Sequence, residues 1–131
     1  MSRQAIQEAA LATQQGRMTF PQVVQVLLAA GVESYLVDFA AAQKTHYLAN
    51  GTTHVAPMIL EPGPITEEFD SAALVAAIRG AQADTVRYPE FVQRSTAAGV
   101  IGYWAFLTGK KVIYFGRKGE MHVEEFPKPQ E

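Results

Sequence analysis

Two stretches of this sequence, residues 20–35 (FPQVVQVLLAAGVESY) and residues 88–103 (YPEFVQRSTAAGVIGY), align without a gap at a shift of 68 positions. About one identity is expected by chance at ordinary amino-acid frequencies. Eight of the sixteen aligned positions are identical: Pro21/Pro89, Val24/Val92, Gln25/Gln93, Ala29/Ala97, Ala30/Ala98, Gly31/Gly99, Val32/Val100 and Tyr35/Tyr103. The sequence therefore predicts an internal duplication.

The similarity continues on both sides of these stretches. Downstream, His54 aligns with His122 at the same shift, after a one-residue slip that pairs Tyr47 with Tyr114. Two copies are too few for a solenoid, so we expect one pseudo-twofold domain over residues 1–131. Its parts are a first repeat at about residues 2–58, a proline-containing connector at about 59–69, and a second repeat at about 70–127.

Composition narrows the class of protein. The chain has 131 residues, of which 48% are hydrophobic and 18% charged, which is typical of one globular domain. The net charge of -2 makes binding to nucleic acid unlikely as a general property. The chain has no cysteine, which excludes disulfides and thiolate chemistry.

Neither a signal peptide nor a membrane span is expected. Polar residues interrupt the first seventeen residues, and the longest uncharged hydrophobic stretch, residues 95–109, is too short to cross a bilayer. We therefore expect a cytoplasmic protein without membrane contact.

Each repeat begins with a pattern typical of two helices. The spacing of Phe20, Val23, Val24, Leu27 and Leu28 predicts a helix with one buried face. Thr19 and Gln22 form a capping-box pattern, and the glycine at position 31 is typical of a helix end. The second repeat has Arg87, a poor cap, where the first has Thr19. Shorter helices are predicted at residues 3–15 and 71–82.

Strand patterns follow each glycine. Tyr35, Val37 and Phe39 alternate with more polar residues, which predicts a strand with one buried face. Residues 100–107 are apolar on both faces and indicate a central strand. Two further strands follow in each repeat, separated by turn residues such as Asn50-Gly51. The predicted fold class is α+β, with two ααβββ units and helices packed on antiparallel sheet.

The second half also resembles a known family. The residues that carry the resemblance are Tyr88-Pro-Glu-Phe91, Ala97-Ala-Gly99 and the stretch from Gly109 to Pro127, GKKVIYFGRKGEMHVEEFP. They resemble domain of unknown function 1398, the YbcV-like family of short bacterial and prophage proteins often labelled phage envelope protein. The resemblance implies no activity, cofactor or site residue.

Three groups of residues are candidates for a site. Because His54 and His122 occupy equivalent positions, a pseudo-twofold axis would bring them together, and with Glu124 they would form a metal site. Helical positions facing the core change from leucines in the first repeat to hydroxyl residues in the second. This change favours a polar cleft lined by Arg94, Ser95, Thr96, Tyr103 and Trp104.

The third group is basic. Lys110, Lys111, Arg117 and Lys118 lie at two predicted turns with aromatic residues between them, an arrangement that suits a phosphate or a single strand of nucleic acid. The alternative for all three groups is structural: solvated turns, strand histidines bonded within their hairpin, and hydroxyls bonded to their own helix.

We find no nucleophile motif and no carboxylate pair on one strand face. The leading hypothesis is a small, uncharacterised, non-enzymatic domain that binds a ligand or a protein without a cofactor, and homodimerisation is a variant of this hypothesis. The alternatives are a metal-dependent enzyme that uses His54 and His122, and nucleic-acid binding through the basic turns.

Overall fold

The computed structural model describes residues 2–58 and 60–126. Its helices and strands follow the chain in the order α1 (Ser2–Gln14), α2 (Phe20–Ala29), β1 (Val32–Asp38), β2 (Gln43–Leu48), β3 (Thr53–Pro57), α3 (Ser71–Gln82), α4 (Tyr88–Ala97), β4 (Val100–Phe106), β5 (Lys111–Gly116) and β6 (Met121–Glu125). The predicted α+β class is confirmed. Ile59 in the predicted connector and Pro127 at the predicted end of the second repeat lie outside the described residues.

Local sequence signals set the helix ends. The Thr19 hydroxyl accepts a hydrogen bond from the Gln22 amide at 3.4 Å, and the Gln22 side chain accepts one from the Thr19 amide at 2.8 Å. The capping box is therefore confirmed. Arg87 gives α4 no side-chain cap, also as predicted. Gly31 and Gly99 follow the ends of α2 and α4 with φ of +86° and +88°, a conformation that glycine adopts at little cost.

All six strands form one antiparallel sheet in the order β3-β2-β1-β4-β5-β6. The two central strands, β1 and β4, pair with Leu36 opposite Trp104. These two residues are 68 positions apart, so the pseudo-twofold axis passes through this pair. We call two residues separated by 68 positions counterparts.

The two halves have the same register throughout. Gln43 pairs with Pro57 in the first half, and Lys111 pairs with Glu125 at the counterpart positions of the second. One alignment detail from the sequence was wrong: the counterpart of Tyr114 is His46, not Tyr47. His46 lies opposite His54 as Tyr114 lies opposite His122, so no one-residue slip is needed.

The core lies between one face of the sheet and the helices. Alternate strand side chains such as Tyr35, Val37 and Ala105 are buried there, together with Leu27 of α2 and Leu74 of α3. On the opposite face, which we call the open face, the larger side chains are half-buried or exposed. None of the described helices is long and apolar enough to cross a membrane.

The counterparts Gly31 and Gly99 allow a matched stability test. A Cβ at Gly31 would meet nothing within 4 Å, whereas one at Gly99 would lie 2.3 Å from the backbone oxygen of Glu68. Gly31→Ala should lower the free energy of unfolding by about 1–2 kcal/mol, the cost of positive φ. Gly99→Ala should lower it by roughly 1–3 kcal/mol more, because the connector must move. Urea denaturation measures both, and equal losses would show that the connector yields freely.

Candidate functional site

A row of six rings crosses the sheet beneath the helices. Each strand contributes one ring, in the order His54, His46, Tyr35, Tyr103, Tyr114 and His122, and neighbouring centroids are 5.4–6.3 Å apart. The register places these side chains on the helix-covered face. A layer of polar aromatic groups therefore lies where most domains of this size have aliphatic side chains.

The hydroxyl groups of the tyrosines in this row lie in a buried cluster with a tyrosine hydroxyl of α4. The Tyr88 and Tyr103 hydroxyls are 2.9 Å apart and share a hydrogen bond. Burial raises the pKa of Tyr35, Tyr88, Tyr103 and Tyr114 well above the ordinary value. All four hydroxyls therefore stay protonated at neutral pH and can donate hydrogen bonds.

These tyrosines border a cavity of about 170 Å³ between the sheet and the helices, which we call the tyrosine cavity. An engineered cavity of roughly 150 Å³ holds one benzene molecule, so this volume suits a single ring. Seven aromatic side chains contribute to its wall: Phe20, Tyr35, Tyr88, Phe91, Tyr103, Tyr114 and Phe126.

Charged residues lie around the opening of the tyrosine cavity. Asp84 and Arg87 line it, are half exposed, and form an ion pair with an N–O distance of 3.1 Å. Glu124 also lines it and accepts a hydrogen bond from Arg79 at 2.6 Å. Asp84 and Glu124 are thus paired with arginines, whereas Glu125, which is exposed, also lines the cavity.

Two basic side chains of β2 are buried beside the tyrosines. Lys44 is only 4% exposed, and its Nζ lies 4.9 Å from the ring centroid of Tyr88. Burial lowers the pKa of Lys44 to about 8. Burial, followed by the nearby Lys44 and His54, lowers the pKa of His46 to about 4. His46 is therefore a neutral imidazole at physiological pH.

The structure does not bring the predicted cleft residues together. Tyr103 lines the tyrosine cavity, but Trp104 follows it on the strand and points to the open face. Arg94 donates to Glu90 at 2.7 Å on the outside of α4. Ser95 is fully buried, and Thr96 donates to the carbonyl of Pro62 at 3.0 Å. Of the five predicted cleft residues, the structure places only Tyr103 in the wall of the tyrosine cavity.

The two histidines proposed for a metal site are far apart. His54 lies on β3 and His122 on β6, the two edge strands, which five strand spacings of about 4.8 Å separate by about 24 Å. The predicted meeting of the two at the pseudo-twofold axis was wrong, because the axis passes between β1 and β4. His122 instead bonds Glu124 at 3.1 Å. Across residues 2–58 and 60–126, no three histidine or carboxylate side chains are grouped to hold a metal ion.

The four basic residues also fail to form one patch. Lys110 and Lys111 lie at the start of β5, and Arg117 and Lys118 lie beyond its other end. Arg117 donates to the carbonyl of Ile65 at 3.2 Å, and Lys118 lies 3.4 Å from a Glu68 carboxylate oxygen. The extended strand β5 separates the lysine pair from Arg117 and Lys118, and the latter two contact the connector.

Several site residues escaped prediction from the sequence. The tyrosine cavity depends on Tyr35, Tyr88 and Tyr114, and its flank carries Lys44 and His46. The alternation in β2 contained a usable signal, since Lys44 and His46 fall on the same face of a predicted strand. Two polar residues on one strand face ordinarily indicate that this face is exposed to solvent. In the structure the helices cover this face, so the two side chains are buried.

Comparison with known proteins places the chain among uncharacterised relatives. A family model described as "Protein of unknown function (DUF1398)" matches residues 34–125. An uncharacterised Mycobacterium bovis protein, Mb2035, is 27% identical over 129 residues, covering 94% of this chain and 76% of the relative. The Mycobacterium tuberculosis protein Rv2012, also uncharacterised, matches to the same extent. None of these descriptions assigns a catalytic activity or a ligand.

The buried His46 predicts a pH-dependent stability. Because its pKa is about 4 in the folded protein and about 6.5 in an unfolded chain, the unfolded state binds more protons between these values. The free energy of unfolding should therefore fall as pH falls from 6.5 to 4, by up to about 3 kcal/mol. Urea denaturation across this range measures the slope. His46→Phe should flatten it, and an unchanged slope in this variant would contradict the assignment.

Proposed function

The chain belongs to the DUF1398 family of proteins of unknown function, and we propose that it binds a small neutral ligand of about one aromatic ring in the tyrosine cavity. The observation that carries this proposal is the buried Tyr88–Tyr103 hydroxyl pair in the wall of an otherwise largely aromatic cavity. A concave apolar site with a few convergent polar groups is the usual form of a small-molecule site.

The chemistry of the wall selects the ligand class. In the hydroxyl pair, one tyrosine donates to the other, and the accepting hydroxyl keeps its own proton to donate. A ligand oxygen such as a carbonyl or an ether fits this donor. A charged group would lose its hydration inside an aromatic cavity, at a cost of several kcal/mol. The proposal is therefore a neutral ring with a hydrogen-bond acceptor.

Three finer predictions also remain proposals. An origin of the two halves by duplication is supported by their common order of elements and common register. A cytoplasmic location and a closer relation to YbcV-like, phage-labelled proteins rest on the sequence patterns alone.

A thermal-shift titration with acetophenone and benzoate tests the ligand proposal. The two probes share one ring, but acetophenone carries a neutral carbonyl and benzoate a charge. Acetophenone should raise the melting temperature and benzoate should not. Tyr103→Phe should weaken acetophenone binding by roughly 3- to 10-fold, because it removes one hydrogen bond.

Two variants complete this experiment. Ala81→Phe places a ring in the tyrosine cavity, which Ala81 lines, and should abolish binding. Tyr47→Phe removes a hydroxyl from the open face and should leave binding unchanged, since Tyr47 stacks on Trp104 away from the cavity. If the folded protein gives no shift with acetophenone, or if both tyrosine variants bind it equally, the proposal is wrong.

The open face favours a second candidate role, self-association. One apolar row runs across it, Val55, Thr45, Leu36, Trp104, Ile113 and Val123, with a single residue from each strand. Trp104 stacks between Tyr47 at 5.4 Å and Phe106 at 5.3 Å. Val55 and Val123 are 52% and 50% exposed. Contiguous apolar surface of this kind typically marks an interface.

The shape of the open face fits a second copy of the chain. A twofold axis that lies between the two copies, parallel to the strands and to the plane of the sheet, would place Val55 of one copy over Val123 of the other. The same axis would place Phe106 over the small Ser34, so that large side chains meet small ones. The face measures roughly 24 by 17 Å, or about 400 Å² in projection, which is about half of the roughly 800 Å² per partner of a standard interface and fits a weak dimer.

Light scattering at about 100 µM should therefore give the mass of two chains. Val123→Glu should give the mass of one, because it introduces a charge into the apolar row. Leu28→Glu is the control, since Leu28 is 43% exposed but lies on α2, away from the open face. A single-chain mass for the unchanged protein would end this proposal.

A further inference from the structure

We propose that the β3 edge of the sheet binds a carboxylate, held by the His54 imidazole and the Arg3 guanidinium. This site is separate from the tyrosine cavity and does not depend on the function proposed for it. Two features support the site. One polar atom is buried without a partner, and the counterpart residues in the second half show what such a partner would be.

The unpartnered atom is Nε2 of His54. His54 is 7% exposed, and this nitrogen is inaccessible to solvent and makes no hydrogen bond. Buried polar atoms in native proteins are nearly always hydrogen-bonded, so each exception needs an explanation such as a ligand. His54 lines a hollow of about 210 Å³ whose other residues are Arg3, Ile6, Leu48, Thr52 and Thr53.

The counterpart of His54 shows the missing group. His122 occupies the same position on β6, and its Nε2, the same atom, lies 3.1 Å from Oε1 of Glu124. Glu124 in turn accepts a hydrogen bond from the Arg79 guanidinium at 2.6 Å. The second half therefore contains a complete group of imidazole, carboxylate and guanidinium.

In the first half the carboxylate is absent, and the counterpart of Arg79 is Leu11, so the guanidinium comes from another position. The counterpart of Glu124 is Ala56, which shares a strand face with His54 but offers no oxygen. The imidazole is present, and Arg3 supplies a guanidinium beside the hollow. Burial of His54, followed by the nearby charge of Arg3, lowers the pKa of His54. A bound carboxylate would accept from His54 Nε2 and pair with Arg3, as Glu124 does with His122 and Arg79.

The surrounding charges favour an anion as well. Lys44 and His46 are buried on the neighbouring strand, and His46 Nδ1 is a second buried nitrogen without a hydrogen bond. Lys44 supplies the positive charge here, since His46 is a neutral imidazole at physiological pH, and within residues 2–58 and 60–126 Lys44 forms no ion pair with an acidic group. This edge of the sheet therefore attracts negative charge.

The test is an NMR titration of the full chain that follows the imidazole signals of its three histidines. Sodium acetate, sodium phosphate and sodium chloride are compared at constant ionic strength and pH. Acetate should shift the His54 signals with saturation, and chloride should not. Tighter binding of phosphate than of acetate would overturn the assignment to a carboxylate, and equal shifts with all three salts would overturn the site.

Variants at the counterpart positions sharpen the result. Arg3→Gln should weaken acetate binding about tenfold, and His122→Phe should leave it unchanged. Ala56→Glu supplies the missing carboxylate from the chain itself, so it should abolish acetate binding and raise the melting temperature, whereas Ala56→Gln should do neither. Binding that survives Ala56→Glu unchanged would contradict the proposal, even if a direct substitution of His54 fails to fold.

Discussion

The antiparallel pairing of β1 with β4 is the contact on which the rest of this structure depends. It joins two three-stranded meanders into one sheet, with Leu36 opposite its own counterpart Trp104. Because side chains alternate along every strand, fixing this register decides which face each residue of all six strands occupies. A shift of one residue would place the three rings of one half on the same side of the sheet as the open-face residues of the other half.

The two candidate sites follow from the same register. Tyr35 and Tyr103 meet at the centre because each lies one residue from the axis, and Tyr88 of α4 reaches this pair from above. The outermost ring of each half lies on an edge strand of the sheet. One of them, His122, hydrogen-bonds to Glu124, whereas His54 on the other edge has no such neighbour. The two halves share a backbone arrangement but differ in their charged residues. A site can arise where such a difference lies in the interior of the protein.

The degree to which the sequence predicted the structure differs between elements and sites. The helix from Phe20, its capping box and the glycine that follows it are local features, because each depends on residues within four or five positions. The predicted metal pair failed for a different reason. The equivalence of His54 and His122 was right, but equivalent residues meet only if they lie near the axis, and β3 and β6 lie farthest from it. The predicted cleft failed because Tyr103 and Trp104, adjacent in the chain, face opposite sides of the sheet.

By itself, the sequence determined the α+β class, the two ααβββ units, the capped start of α2 and the turn glycines. These follow from short-range periodicity, capping and backbone freedom, which act within a few residues. Only the tertiary structure decided that the two meanders share one sheet, that Lys44 and His46 are buried, and that four tyrosines border one cavity. Strand order and the face covered by helices depend on contacts between residues about seventy positions apart, and no local pattern specifies these contacts.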